Sequence, residues 1–206
     1  MSDQNLMFDA YSKLPPPVVP TSLQVMKFAG AYVNIGTEDN QEKRWFDWPK
    51  FKAAVDGYNG DDLTFDKYKS TTIASSQSTV DSMVNKIVQF LKDALSVVLS
   101  ATDITALKAT LEATFTNLKQ KSSNGFLDFS KSSHENNSSW EYRIQFAFPN
   151  PDLPEYFYSL VTTIKLEADV TSESEWWGLS SSSSKNFSAS IDAIELVVRK
   201  GFRNPN

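Results

Sequence analysis

Drawn as a helix at 100° per residue, the segment Ser78–Leu99, STVDSMVNKIVQFLKDALSVVL, divides into two halves. Asp81, Ser82, Asn85, Lys86, Gln89, Lys92, Asp93 and Ser96 share one arc. Val80, Met83, Val84, Ile87, Val88, Phe90, Leu91, Leu95, Val97 and Val98 fill the other, and only Leu99 is out of place. Ser78 as N-cap with Asp81 three residues later reads as a capping box, so the helix has a defined start. No other feature constrains the fold as much, because an apolar arc of this length needs a surface of matching length to cover it.

About 22 residues at ~1.5 Å each span roughly 33 Å, the thickness of a bilayer core. Lys86, Lys92, Asp81 and Asp93 argue against a spanning helix, since each costs about 2.5–3.5 kcal/mol near the bilayer centre. The pattern therefore predicts an amphipathic helix laid on the core of a soluble domain, on a membrane or on an oligomer surface. With 206 residues, 40% apolar and 22% charged, the chain can bury one sizeable core, and no break in composition divides it. The start, MSDQNLMFDAYSK, has neither a basic nor an apolar signal region, which predicts a protein made soluble and released by a non-classical route. There is no cysteine, so packing alone holds the fold and thiolate chemistry is excluded. A net charge of −5 without a basic block argues against nucleic acid as a partner. The basic tail Arg199, Lys200 and Arg203 reads as solvated surface or as a contact for anionic headgroups.

Along the chain, Pro15, Pro16, Pro17 and Pro20 predict an extended, proline-rich arm over residues 1–22. Leu23 to Ile35 carries the β-prone set Val25, Phe28, Tyr32, Val33 and Ile35 and predicts a first strand, bent at Gly30. Asp47 and Pro49 mark a short helix ending at Gly57 or Gly60. A further helix from Asp103 to Lys119, with Ile104, Leu107, Leu111, Phe115 and Leu118 in a narrow seam, pairs with the long one as a hairpin. From residue 139 the period changes to 2. Trp140, Tyr142, Ile144, Phe146 and Phe148 alternate with Glu141, Arg143, Gln145 and Ala147, as in a strand with one buried face. Tyr158, Leu160, Thr162, Ile164, Leu166, Ala168 and Val170 form a second strand, and Phe187 to Val198, whose phase slips at Ala193 and Ile194, a third. The five serines Ser180 to Ser184 read as a flexible connection. Long strands joined in series predict an α+β sandwich with a mostly antiparallel sheet in residues 121–200, the first strand and the helices filling 23–120.

Signatures of catalysis are missing. His134 is the only histidine and lies among small polar residues; there is no nucleophile elbow, phosphate loop, HExxH or dinucleotide fingerprint. Asp61 and Asp62 adjoin in sequence, which does not define a catalytic pair. The expectation is a protein that is not an enzyme and needs no cofactor or metal. Glycosylation sequons occur at Asn136, Asn137 and Asn186. Trp176 and Trp177, beside a glycine and the serine run, suit sugar stacking or a membrane interface, whereas Trp45, Trp48 and Trp140 read as core or rim.

The order VNKIVQFLKDALSVVL, LEATFTNL, SSWEYRIQFAF resembles the Cyt-type δ-endotoxins, a family of cytolysins. LQVMKFAGAY, FDWPKFKAAVDGYNGDDLTFDKY, SSNGFLDF, YFYSLVTTI, WWGLSSS and IDAIELVVRKGF resemble a mushroom pore-former of the same kind, over roughly residues 14–205. The resemblance implies helical layers around a mostly antiparallel sheet, and a soluble protein that binds lipid bilayers, forms homo-oligomers and permeabilises cells. Either the helices or the strands could enter the bilayer. Helix candidates are Val80, Met83, Val84, Ile87, Val88, Leu91, Leu95 and Val98. Pore-strand candidates are Tyr142, Ile144, Phe146, Leu160, Ile164, Leu166, Ile191 and Leu196, with Glu141, Arg143, Lys165, Glu167 and Asp169 facing water. Headgroup candidates are Trp176, Trp177, Lys185, Arg199, Lys200 and Arg203. Because strands satisfy their backbone only by closing with other strands, the favoured order is a helical hairpin that swings off the sheet and strands that line the pore. The rival is a lectin-like module holding glycans at Trp176 and Trp177.

Overall fold

The computed structural model describes residues 7–38, 40–131 and 136–206, so His134 lies outside the described residues. In chain order the elements are β1 (Asp9–Ser12), a 3-10 turn at Pro16–Val18, α1 (Val19–Gly30), β2 (Val33–Glu38), β3 (Gln41–Phe46), α2 (Trp48–Asp56) and β4 (Leu63–Thr79). Then follow α3 (Val80–Ala94), α4 (Ala101–Phe115), α5 (Leu118–Ser123), β5 (Leu127–Lys131), β6 (Ser138–Pro149), β7 (Tyr156–Ala168), α6 (Glu173–Trp177) and β8 (Ser184–Arg199). Six strands make one sheet in the order β1-β6-β7-β8-β4, with β5 also on β6, and β2-β3 form a separate ribbon. β5 pairs residues 138–142 of β6 antiparallel, and β1 pairs residues 144–147 parallel. Elsewhere the partner numbers fall as the strand numbers rise: Gln145 with Ser159 and Ser138 with Val170, Glu155 with Lys200 and Asp169 with Asn186, Thr72 with Ser190 and Gln77 with Asn186. These strands are therefore antiparallel, and β1 makes the sheet mixed.

The amino-terminal third departs from its expected form. Leu23 to Ile35 is not a strand: α1 covers 19–30, and β2 begins at Val33. Thr21, Ser22, Val25, Met26, Phe28 and Ala29 are its buried residues, a stripe at helical spacing that outweighs β-propensity. Nor is 1–22 an extended arm throughout, because Pro16 opens a 3-10 turn and Pro20 sits in the first turn of α1, where a missing N–H costs nothing. The Asp47 reading holds. Its carboxylate accepts from the Lys50 N–H at 3.1 Å and caps α2. Trp45, expected in the core or at its rim, is 40% exposed, its ring laid over Gly36, where an added Cβ would stand 2.9 Å from it.

The chain forms two compact units. The first contains Met1–Lys69, Arg143–Thr162 and Ala193–Asn206, and its core is aromatic. Phe28 meets Phe51, Tyr32, Phe202 and Tyr58 at centroid distances of 5.3, 5.9, 5.9 and 6.4 Å, and Phe46 meets Trp48, Phe8 and Phe51 at 4.8, 5.2 and 5.3 Å. β6 was expected to bury one face and buries both: Arg143, Gln145 and Ala147 are as inaccessible as Ile144, Phe146 and Phe148. Its polar groups are bonded to match. Gln145 donates to Ser159 Oγ at 2.6 Å and accepts from Ser22 Oγ at 3.3 Å, and Arg143 Nε donates to the Met7 carbonyl at 3.0 Å. The phase slip at Ala193 and Ile194 has the same cause, since residues 193–196 are all buried.

The second unit contains Ser70–Tyr142 and Thr163–Asp192. The expected helix of residues 78–99 is 15 residues long rather than about 22; α3 stops at Ala94, Leu95 is extended, and Leu95 and Leu99 are buried beyond its end. The cap is Thr79, not Ser78, which belongs to β4. The capping box lies instead on α4, where Ser100 Oγ accepts from Asp103 N–H at 3.1 Å and Asp103 accepts from Ser100 N–H at 3.2 Å. The second helix divides into α4 and α5.

Leu91→Ala opens a cavity under α3 and is expected to cost about 2–5 kcal/mol, lowering the melting temperature by roughly 5–15 °C in calorimetry. Asp47 gives a pH dependence. The Asn34 amide, 3.0 Å away, and then the Lys50 N–H hold its carboxyl below the ordinary carboxylate range. A lowered folded value stabilises above the unfolded value of about 3.9 and is lost as pH falls through the folded one. The melting-temperature gap between the natural chain and Asp47→Ala should be constant above about pH 5 and shrink below about pH 4.

Candidate functional site

α3 concentrates the amphipathic character of the second unit. Val80, Met83, Val84, Ile87, Val88, Leu91 and Ala94 are buried, whereas Asn85, Lys86, Gln89, Lys92 and Asp93 face solvent. Seven of the eight helix candidates are thus covered in this structure, Leu95 from just beyond the helix. The eighth, Val98, is not on the helix: it stands 92% exposed in the connection to α4. Phe90 is half-buried at the boundary between the arcs.

The amino end of α3 is held by distant chain. A helix leaves its first N–H groups without intrahelical partners. Here Val80 N–H donates to the Ser183 carbonyl at 3.1 Å, Asp81 N–H to the Ser181 carbonyl at 3.0 Å and Ser82 N–H to Thr79 Oγ1 at 3.1 Å. The serine run, expected to be a flexible connection, is a built cap. Two residues before the helical cap, Gln77 has φ 50°, a left-handed conformation that disfavours a side chain. Its N–H donates to Asn186 Oδ1 at 2.9 Å, and Asn186 is fixed by Asp169 through its own N–H at 3.0 Å and Nδ2 at 3.4 Å. The joint between β4 and α3 is therefore an unfavourable backbone state kept by three hydrogen bonds.

α3 and α4 form the expected hairpin, with Lys108 Nζ 3.4 Å from Asp81 across it. Both ends of that pair are over a third exposed, which makes it worth well under 1 kcal/mol. α4 meets β6 through Thr114, whose hydroxyl lies 3.3 Å from Tyr142 Oη, and through Phe115, whose ring is 6.3 Å from that of Tyr142. α3 meets β4 where Lys86 Nζ donates to Ser75 Oγ at 3.0 Å. Apolar packing of the buried α3 and α4 residues is thus the main hold on the hairpin.

All eight pore-strand candidates, Tyr142, Ile144, Phe146, Leu160, Ile164, Leu166, Ile191 and Leu196, are buried. Of the residues expected to face water, Lys165 and Asp169 are exposed, Glu141 and Glu167 half-buried, and Arg143 is fully buried. Trp176, proposed for headgroups or sugars, is 1% exposed: its Nε1 donates to Ser138 Oγ at 2.8 Å and its ring meets Trp140 edge-on at 6.4 Å. Trp177 is half-buried against Trp140 at 5.3 Å. Two adjoining tryptophans look the same in sequence whether they stack on each other's neighbours or on a ligand, and Ser138 is too far along the chain to reveal the difference. Lys200 and Arg203 are exposed, Lys185 is half-buried, and Arg199 is tied to Asp61 at 2.8 Å. Asp62 accepts from the Tyr58 hydroxyl; burial and that bond push the phenol up to about 12. Asp61 and Asp62 are thus engaged by separate partners. Among the described residues no helix is long and apolar enough to cross a membrane, and no three acidic or histidine side chains gather as a metal site.

The fold has close counterparts. A solved δ-endotoxin superposes with a TM-score of 0.79 at 17% identity, covering 97% of this chain and 89% of that one. The activated Cyt2Ba monomer from Bacillus thuringiensis subsp. israelensis superposes at 0.77 with 15% identity, covering 94% and 98%. In sequence, 84 residues are 32% identical to the Type-1Ba cytolytic δ-endotoxin of Bacillus thuringiensis subsp. neoleoensis, a match spanning 40% of this chain and 31% of that protein. Residues 19–200 match the family described as Bacillus thuringiensis toxin, from the first residue of α1 to just past β8. With that span, and with the same sheet and helices in two δ-endotoxin structures, the chain belongs to the Cyt toxin family of Bacillus thuringiensis toxins.

Proposed function

We propose that the protein is a cytolysin that binds lipid bilayers directly, oligomerises there and permeabilises cells by releasing the α3–α4 hairpin from the sheet. The observation that carries this reading is the α3 arc, a continuous apolar surface on a helix whose outer face is charged and whose ion pair with α4 and hydrogen bond to β4 are exposed. Six side chains of valine size or larger lie under α3, and exposing each to water costs about 1.5–3 kcal/mol, on the order of 10 kcal/mol together. That is comparable with the whole stability of a domain, about 5–15 kcal/mol. In water the hairpin stays closed. A bilayer offers the arc a second apolar surface and removes most of that cost, so lipid is the partner that makes release feasible.

Release uncovers Tyr142 and the sheet beneath α4, and the strands could then find partners in other subunits. Glu141, Lys165, Glu167 and Asp169 are the polar residues placed to face an aqueous lumen without first leaving a core. Lys200, Arg203 and the half-exposed Trp177 remain as headgroup contacts, while Trp176 is withdrawn from that role. Its burial also removes half of the platform that a glycan-binding reading needs.

Purified protein should release dye from glycan-free phosphatidylcholine or mixed anionic vesicles in a concentration-dependent way, with oligomers forming in parallel. Bound and agglutinated erythrocytes without vesicle leakage would reverse the assignment in favour of a lectin. The hairpin itself is tested at Ser75 and Lys86, whose side chains meet at 3.0 Å in a chain with no cysteine. Bridging Ser75→Cys/Lys86→Cys with a short bis-maleimide should cut leakage at least tenfold, while each single variant treated with the reagent keeps it. Undiminished leakage from the bridged protein would mean that α3 does not leave the sheet.

A further inference from the structure

From the geometry of the sheet we propose that β4 is a self-association edge, along which a second copy of this chain pairs its own β4 antiparallel in solution, before any membrane is met. β4 ends the strand order and is 17 residues long, well above the usual five or six. An edge strand presents unpaired backbone N–H and C=O groups, and natural sheets blunt such edges with charge, proline, bulges or short strands. The other edge of the sheet follows that rule, with β1 of four residues and β5 of five. β4 follows it only in part. Asp66, Lys67 and Lys69 guard its first third, but from Ser70 to Val80 there is no charge, proline or glycine. Ser70, Thr72, Ala74 and Ser76 are exposed and alternate with half-buried Thr71, Ile73 and Ser75, so the strand stays regular up to the left-handed Gln77.

The occupant follows from complementarity. A row of alternating backbone donors and acceptors matches another such row, and the described strand edge of equal length is β4 of a second copy. Laid antiparallel about Ile73, the segment sets Ser70 against Ser76, Thr71 against Ser75, Thr72 against Ala74 and Ile73 against its own copy, and opposes no like charges. β5 would bring Asp128 and Lys131 over five residues only. The seven residues Ser70–Ser76 at ~3.3 Å and a sheet about 10 Å thick give a footprint of roughly 230 Å² per partner, and the whole strand about 560 Å². Both fall short of the ~800 Å² of a standard interface, so the dimer is reversible and of micromolar or weaker affinity. Pairing two copies of one strand is isologous, so it closes as a twofold dimer and does not grow into fibres.

Sedimentation velocity of the intact chain without lipid, from about 1 to 200 µM, should show a dimer that grows with concentration. Ala74→Cys alone, next to the twofold at Ile73, and an equimolar mixture of Ser70→Cys with Ser76→Cys, which face each other across it, should give oxidised dimers at least tenfold faster than Ala53→Cys on the exposed face of α2. Ala74→Lys/Ser76→Lys, checked for an unchanged melting temperature, should remain monomeric. A monomer throughout, cross-linking no faster than at Ala53, or a dimer that survives both lysines would overturn the proposal. Because no lipid is used, such a result would leave the membrane reading standing.

Discussion

The burial of the α3 arc is the interaction on which the rest of the architecture depends. Capping chemistry at its start, the hairpin with α4 and the contact of α4 with Tyr142 all serve to keep one apolar stripe against the sheet. The Lys86–Ser75 and Lys108–Asp81 contacts of the hairpin are exposed and each worth about 1 kcal/mol or less, whereas the packed side chains contribute an order of magnitude more in sum. Stability and releasability are then set by the same term. Apolar burial is strong against water and weak against lipid, so a structure held chiefly by it is firm in one solvent and loose in the other.

The first unit is built on a different footing. Its aromatic cluster around Phe28, Phe46 and Phe51 interlocks α1, α2 and the β2-β3 ribbon, and its buried polar residues are bonded within β6, β7, α1 and the chain before β1. Such networks lose more than they gain when partly broken, because a buried donor without its acceptor costs roughly 1–3 kcal/mol. The second unit, by contrast, buries the apolar arc of α3.

How far the fold was legible depends on how each element announces itself. α2 and the α3–α4 hairpin were visible because Asp47 and the 3.6-residue stripes are local signals. β6, β7 and β8 were visible as strands; the phase slip of β8 allowed either a bulge or burial of both faces, but the second buried face of β6 was hidden, since Gln145, Ser159 and Ser22 look like surface residues until they meet across 14 and 123 positions. β4 escaped notice because an edge strand of serine and threonine shows no apolar alternation. α1 was misread because Val25, Phe28 and Tyr32 favour strands in isolation, and only their helical stripe against the core overrides that. In the candidate site, the α3 arc was read directly from the pattern; Trp176, the Ser181–Ser183 cap and the strained Gln77 were not, as each depends on a partner far along the chain.

That cap has a consequence for synthesis. The amides of Val80 and Asp81 wait for the carbonyls of Ser183 and Ser181, about a hundred residues later in translation. At roughly 5–20 residues per second a ribosome needs about 5–20 s to supply them, and β7 and β8 must emerge before α3 has its sheet. For that interval the nascent chain carries an uncovered amphipathic helix inside the cell that makes it. On the proposed reading, the order in which the elements leave the ribosome makes the producing cell's own bilayer the first that the uncovered arc can meet.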